Sequence, residues 1–108
     1  MKRSPIRRHA HKDPVTEDVR FAVLDRDQAC ILYQLDPSHE CRDRWGNPHR
    51  PDATWLLSLE HVKPDLMAGH RGPSTARWMV AMCYAGNVGV PSKAQRNAIR
   101  AYLQRVSA

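Results

Sequence analysis

The order of hydrophobic and polar positions divides the chain into a polar start, two short apolar runs and an amphipathic end. Residues 1–15 contain almost nothing apolar and include Pro5 and Pro14, which predicts a disordered arm before a single domain over residues 16–108. Thr16 is a suitable N-cap, and Glu17 and Asp18 suit a first helical turn. We therefore expect a short helix that ends near Asp27.

The two apolar runs predict a β-hairpin. In TWLLSLEHV, residues 54–62, apolar side chains occur at both odd and even positions, so both faces of an extended segment would be apolar. This pattern is typical of a buried strand. The run RWMVAMCY, residues 77–84, is short, apolar and β-prone at its centre, and it predicts a second strand after a long loop. Gly86, Gly89 and Pro91 then interrupt the pattern.

The last segment predicts a helix that starts at Ser92. The sequence SKAQ places Gln95 at the N3 position of a capping box. Apolar positions fall on one face of this helix, and another face carries Lys93, Arg96 and Arg100. The apolar face can pack on the core, while the basic face can contact phosphate groups.

Charge is distributed unevenly along the chain. The net charge is +6, yet all eleven acids lie between Asp13 and Asp65, so basic blocks flank an acidic middle. Lys and Arg that neutralise phosphates gain affinity through counterion release, and this segregation predicts nucleic-acid binding rather than a merely basic surface. No stretch is long and apolar enough to suggest a membrane span, and we expect a cytoplasmic protein without a membrane partner.

Residues 36–54 form a loop rich in proline and charge, which is long for a chain of 108 residues. Such loops tend to be functional or internally stapled. Cys30 and Cys41 lie around it, with His39 and His49, and Cys83 follows the second apolar run. Three cysteines without secretory context argue against a disulfide framework. We expect buried thiols rather than a structural zinc site, which would need His39 or His49 as a fourth ligand.

Glu60 and His61 are adjacent at the end of the first apolar run, before Pro64. Phosphodiester hydrolysis needs a base that activates water, and the imidazole pKa of about 6.5 lies near working pH. It also needs a cation held by hard oxygen ligands such as carboxylate. Neighbours on an ideal strand point to opposite faces, so a shared site requires the strand to end or twist here. The alternative is an ordinary histidine beside a surface acid.

A series of motifs from Arg20 to Leu103 resembles the HNH endonuclease family, particularly its small phage-encoded members. The residues that carry the resemblance are, in order, Arg20, Val23-Leu24, Arg26-Asp27, Cys30, Cys41-Arg42-Asp43, Gly46, LEHV, Cys83, Asn87 and PSKAQR. The resemblance implies an α+β fold with a small ββα-metal (His-Me finger-like) core, an N-terminal helix, long irregular loops and a basic C-terminal helix.

The same resemblance implies a metal-dependent DNA endonuclease. His61 matches the general base, while Glu60 and Asn87 match the ligands of one divalent cation, Mg²⁺ or Mn²⁺. Double-stranded DNA is the expected partner, with Lys63, Lys93, Arg96 and Arg100 as phosphate contacts.

The chain also departs from the family's pattern. Glu60 stands where Asp is more frequent, Trp78 replaces the middle Asn or His, and single cysteines with Gly86 replace two CxxC pairs. These departures favour an alternative, a non-catalytic nucleic-acid-binding module on the same fold. An assembly protein whose basic arm docks on an acidic partner is a third interpretation.

Overall fold

The computed structural model describes residues 14–62, 73–89 and 91–107. Its elements are α1 (Glu17–Asp27), α2 (Ile31–Leu35), β1 (Ser58–His61), β2 (Met79–Met82), α3 (Tyr84–Val88) and α4 (Lys93–Val106), with 3₁₀ turns at Thr54–Leu56 and Ala76–Trp78. The α+β class predicted from sequence is confirmed. Most of the predicted arm, Lys63 and most of the loop after it lie outside the described residues. Among the described helices, none has the length and apolar character that a bilayer span requires.

Helix α1 begins and ends where its sequence predicts. The Thr16 hydroxyl accepts the Val19 N–H at 3.3 Å, and Glu17 and Asp18 occupy the first turn. The helix ends at Gln28, whose φ of 62° is left-handed, with its N–H donated to the Leu24 carbonyl. Val23 and Asp27 are buried, so this helix contributes one apolar and one ionisable side chain to the interior.

Strands β1 and β2 pair antiparallel, and the predicted hairpin is confirmed with shorter strands than expected. Ser58 pairs with Met82 and His61 with Met79. Thr54–Leu56 is a 3₁₀ turn rather than strand, and Trp55 is 74% exposed. The prediction of a buried first strand was wrong, because β1 is only half-buried while every residue of β2 is buried. Periodicity alone could not separate the turn from the strand, since both are apolar and short.

In the part of the chain that the structure describes, side chains close the outer edge of β2 and no third strand pairs with it. Arg26 Nη2 donates to the Met79 carbonyl at 2.6 Å, and Ala81 N–H donates to Asp27 Oδ2 at 2.9 Å. The next outward group, Cys83 N–H, donates to Cys30 Sγ at 3.4 Å. Buried backbone polar groups require partners, so these contacts let a two-stranded sheet lie in the core.

Helix α2 was not predicted from the sequence, and a helix at the position of α3 was expected only from the ββα-metal core that the resemblance implies. Each has five residues, too few to show helical periodicity. A Cβ at Gly86 of α3 would lie 2.8 Å from Leu32 Cδ1 and 2.9 Å from Met82 Cγ. The lack of a side chain at Gly86 lets α3 pack this closely on α2 and β2. The close packing explains why position 86 has glycine where the family's CxxC pattern would have a metal-binding cysteine.

Helix α4 has the predicted capping box. Ser92 Oγ accepts the Gln95 N–H at 3.1 Å, and Ser92 N–H donates to Gln95 Oε1 at 2.8 Å. Ile99 and Leu103 are buried, whereas Val106 is 42% exposed. The buried core joins these two residues to α1, α2, β2 and the three cysteines.

Candidate functional site

A cavity of about 370 Å³ lies where the end of β1 faces α3 and α4. Its walls include Glu60 and His61 from β1, Asn87 from α3, and Arg96 and Arg100 from α4. The apolar part of the lining comes from Val62, Val80, Met82, Gly86, Pro91 and Ile99. Residues that the sequence linked to catalysis, metal binding and phosphate binding therefore share one concave surface.

Glu60 and His61 reach this cavity from adjacent positions because β1 ends at His61. Burial raises the pKa of the Glu60 carboxyl above its usual value. His61 Nε2 lies 2.9 Å from Ser74 Oγ, and Ser74 is only 4% exposed. The hydroxyl comes from the segment just before β2, so it fixes the imidazole relative to both strands.

Asn87 lies in the short helix α3. Its Nδ2 donates to Ser58 Oγ at 3.0 Å. Ser58 is two residues before Glu60 on β1 and so points to the same face of the strand. The amide side chain is thus held beside the carboxylate's face of the hairpin, and its role as a ligand stays a prediction.

The basic residues of α4 occupy different positions relative to the cavity. Arg96 and Arg100 line it, whereas Lys93 is exposed outside its lining. Arg96 Nη1 donates to the Pro91 carbonyl at 2.7 Å, and Arg100 Nη2 donates to Asn97 Oδ1 at 2.5 Å. Two guanidinium groups therefore stand at the candidate site on a regular helix.

The position expected to steady the hairpin loop has no polar side chain. Trp78 is half-buried, and the Arg77 guanidinium lies 4.2 Å from its ring centroid. The backbone closes the hairpin instead, since Val62 N–H donates to the Trp78 carbonyl at 2.8 Å. The strand ends are aligned without the missing Asn or His.

A second cluster of donor atoms lies beside the end of β2, where Cys83 directly follows the strand. One donor atom from each of Cys30, His39, Cys41 and Cys83 lies within 4.8 Å of all the others, so the cluster could hold a metal ion. The three cysteines are buried and form no disulfide. The burial of the three thiols was expected. The expectation of buried thiols without a metal does not explain why the imidazole of His39 is the fourth member of the cluster.

Local structure positions each member of this cluster. Cys30 and Cys83 are the N-caps of α2 and α3, while His39 and Cys41 belong to the long loop. His39 Nε2 lies 3.2 Å from Cys83 Sγ, which also accepts the Gly86 N–H at 3.3 Å. The loop is thereby drawn against the end of β2.

The thiols of the cluster differ in acidity. A hydrogen bond from Cys30 lowers the pKa of the Cys83 thiol, and His39 and the Gly86 N–H act in the same direction. The same contact raises the pKa of Cys30, and burial raises that of Cys41 to about 11. These contacts favour the thiolate of Cys83, which is the form of sulfur that binds metals.

The structure distinguishes the two histidines that the sequence left open. His49 is not part of the cluster, and its Nδ1 lies 2.7 Å from the Arg50 carbonyl oxygen. The signal for His39 in the sequence was its position two residues before Cys41 inside a long loop.

The two sites have different donor chemistry. The cavity offers hard oxygen donors and an imidazole beside guanidinium groups, whereas the cluster offers soft sulfur and one imidazole nitrogen.

Comparison with known proteins identifies no family for the chain, because no family model, no curated protein and no solved structure matches it.

Proposed function

We propose that the protein is a metal-dependent DNA endonuclease of the HNH type, with β1, β2 and α3 as its ββα-metal unit. One observation carries the proposal: Glu60, His61 and Asn87 line the same cavity as Arg96 and Arg100. A nuclease site needs a base, a cation site and positive charge around one phosphate, and this surface has a residue type for each.

The residues of the cavity fit a divalent cation. Glu60 and Asn87 offer hard oxygen donors and leave most of an octahedral shell for water and phosphate, which suits Mg²⁺ or Mn²⁺. The Glu60 carboxyl is partly desolvated, and within residues 14–62, 73–89 and 91–107 it has no salt-bridge partner. When bound, the cation would supply Lewis-acid stabilisation of charge on the phosphate.

The protein's own side chains take the remaining roles. His61 accepts the proton of the attacking water, and the Ser74 hydroxyl at 2.9 Å holds the imidazole in position. Arg96 and Arg100 orient the DNA strand through its phosphates. The apolar wall around Val80 and Ile99 limits water beside the reacting groups.

A plasmid-nicking assay with and without Mg²⁺ or Mn²⁺ tests the proposal. Replacing His61 by Ala should lower the cleavage rate by about 10²- to 10⁴-fold while DNA affinity is retained, since one neutral imidazole adds little to phosphate binding. His49→Ala is the matched control, because His49 lies outside the cavity lining. Equal nicking by the parent and His61→Ala would refute the catalytic role.

A non-catalytic DNA-binding module is the second candidate, and one observation favours it. Trp78 stands where the family has an Asn or His, and it contributes to the hairpin through its carbonyl, which accepts the Val62 N–H, and through its ring, which contacts the Arg77 guanidinium. Binding of DNA without cleavage by the parent protein in either cation would support this module over the nuclease.

We also infer that Cys30, His39, Cys41 and Cys83 bind one structural Zn²⁺. A tetrahedral zinc site with Zn–S bonds of about 2.3 Å spaces its ligand atoms roughly 3.8 Å apart. The observed limit of 4.8 Å needs only a small contraction of the cluster. Thiolate and imidazole select zinc over Mg²⁺ or Mn²⁺, and four protein ligands leave no open position for catalysis.

Metal analysis of the purified protein tests the zinc site. We expect about one zinc per chain, lost in His39→Ala and Cys83→Ser. His49→Ala, the matched histidine control, should keep its zinc because its ring is outside the cluster. Retention of zinc by His39→Ala would contradict the proposed ligand set.

A further inference from the structure

Next to the candidate catalytic cavity lies an aromatic groove, which is lined by Asp43, Arg44, Trp45, Trp55, Leu56, Leu57, Ser58, Tyr84, Asn87 and Val88. Its volume is about 430 Å³. Trp45 is 76% exposed and Trp55 74% exposed, and Tyr84 is also accessible. Rings this large seldom stay in water without a ligand when they line one concave surface.

Asn87 belongs to both surfaces. It lines the catalytic cavity and the aromatic groove, and it donates a hydrogen bond to Ser58, which also lines the groove. A ligand in the groove would therefore continue into the cavity past Asn87. The groove and the candidate site can be occupied by one polymer.

The charges beside the groove match a phosphate backbone. The Arg44 guanidinium lies 5.6 Å from the Trp45 ring centroid, so a cation and a stacking surface are presented together. Arg96 and Arg100 stand across the adjoining cavity. Asp43 is the single acid among the described residues of the lining, and its Oδ1 accepts the N–H groups of Trp45 and Asn47, both at 2.9 Å.

The Asp43 contacts also hold the tryptophan in place. They form a turn at residues 43–47, in which Gly46 has φ 84°. Trp45 is thus displayed from a defined turn. A turn that is already ordered loses little backbone freedom when a base stacks on its tryptophan.

We propose that the aromatic groove binds unpaired bases of a DNA strand whose backbone enters the cavity of Glu60 and His61. Aromatic faces with flanking cations are the means by which proteins bind single strands without reading sequence. Paired bases present no free face to these rings, so the substrate class becomes DNA with an unpaired segment beside the cleaved bond. This substrate assignment rests on the proposed nuclease function.

Binding of a labelled single-stranded oligonucleotide, followed by fluorescence anisotropy at fixed salt, tests the groove. Trp45→Ala and Trp55→Ala should each weaken binding at least about fivefold, the fold-change expected from loss of one stacked base. Trp45→Phe should restore most of the affinity. Phe21→Ala is the matched control, because Phe21 is 64% exposed on α1 and lies outside the groove.

An abasic oligonucleotide of equal length separates bases from phosphates. We expect it to bind at least about fivefold more weakly than the ordinary strand, with no further loss in Trp45→Ala. Equal affinity for both oligonucleotides, or unchanged affinity in both tryptophan variants, would overturn the proposal. So would concentration-dependent self-association that the tryptophan variants abolish while DNA binding is unaffected.

A cleavage assay keeps the two proposals apart. A duplex with an unpaired segment should be cut faster than a plain duplex, and Trp55→Ala should remove this preference. Cleavage that shows no such preference overturns the groove and leaves the nuclease standing. Tryptophan-dependent binding of bases without any cleavage supports the groove as a binding site and refutes the nuclease.

Discussion

Asp27 shows how much of the fold can depend on a single residue. Its carboxylate accepts bonds from Arg26, Tyr102 and the Ala81 N–H, and its side chain is fully buried. It therefore links α1, α4 and β2 at one point. Helical pattern alone placed Asp27 at the end of α1 but could not reveal this role, since its partners lie 54 and 75 residues away.

Replacing Asp27 by Ala should destabilise the protein by about 3–5 kcal/mol, because the change removes the carboxylate partner of the half-buried Arg26 guanidinium and leaves the Ala81 N–H and the Tyr102 hydroxyl without their acceptor. Chemical denaturation measures the effect. Asp25→Ala, at an exposed position of the same helix, is the control and should change stability by less than about 0.5 kcal/mol. Similar losses in the two variants would contradict the link.

The titration of the Tyr102 phenol should also report on the contacts around Asp27. Burial raises the pKa of its phenol to about 12, and the hydrogen bond to Asp27 acts in the same direction. The folded state favours the neutral phenol, so this stabilisation is complete below the ordinary pKa of about 10 and is lost as pH rises towards 12.

Ultraviolet titration of tyrosinate in the parent and in Tyr102→Phe measures this shift. The difference between the two curves should have its midpoint near pH 12. A midpoint near 10 would mean that the phenol titrates as it does in water.

At the scale of elements, residues that cap helices were the reliable signals. Thr16 and Ser92 each satisfy backbone donors locally, so α1 and α4 follow from sequence. Helix α3 has a side-chain cap from Cys83, but both short helices depend on the close packing of Gly86 against Leu32 and Met82, which only the folded chain brings together. The hairpin was foreseen, but the half-burial of β1 was not.

Helix α4 should be the phosphate-binding element. Replacing Lys93, Arg96 and Arg100 by Ala should weaken binding across DNA sequences and reduce the salt slope by up to about three, one for each lost phosphate contact. Affinity measured over a range of salt concentrations tests this. An unchanged slope would exclude α4 from the interface.

Single variants provide the control for α4. Arg105 is in the last turn and outside the cavity lining, with its guanidinium 6.0 Å from the Tyr102 ring centroid. Arg105→Ala removes the same charge as Arg96→Ala. We expect only the Arg96 variant to lower the slope by about one.

At the scale of the whole molecule, the thiol cluster explains how a small domain keeps a long loop. Cys30, His39, Cys41 and Cys83 come from three separate segments, so the loop is fixed at two points against the core. Sequence offered the candidate ligands but could not select among them, because the selection depends on contacts across 44 residues. For the same reason, the hydrogen bond between Asn87 and Ser58, which are 29 residues apart, could not be predicted from the sequence.

Removing zinc should loosen the whole domain. Loss of about 3 kcal/mol would lower the Tm by roughly 12–24 °C for a domain of this size. Thermal unfolding with a zinc-selective chelator, followed by zinc addition, measures the change. Excess Mg²⁺ should not restore the Tm, since thiolates bind it poorly, and an unchanged Tm in chelator would argue against a structural metal.

The side-chain closure of β2 has a consequence for how the protein behaves at high concentration. An open strand edge is a template on which a second chain can add a strand, and this is a common route to aggregation. Arg26 and Asp27 occupy the Met79 and Ala81 positions at which such a strand would pair. The Arg26–Asp27 ion pair therefore stabilises the fold and also prevents a second chain from adding a strand at the edge of β2.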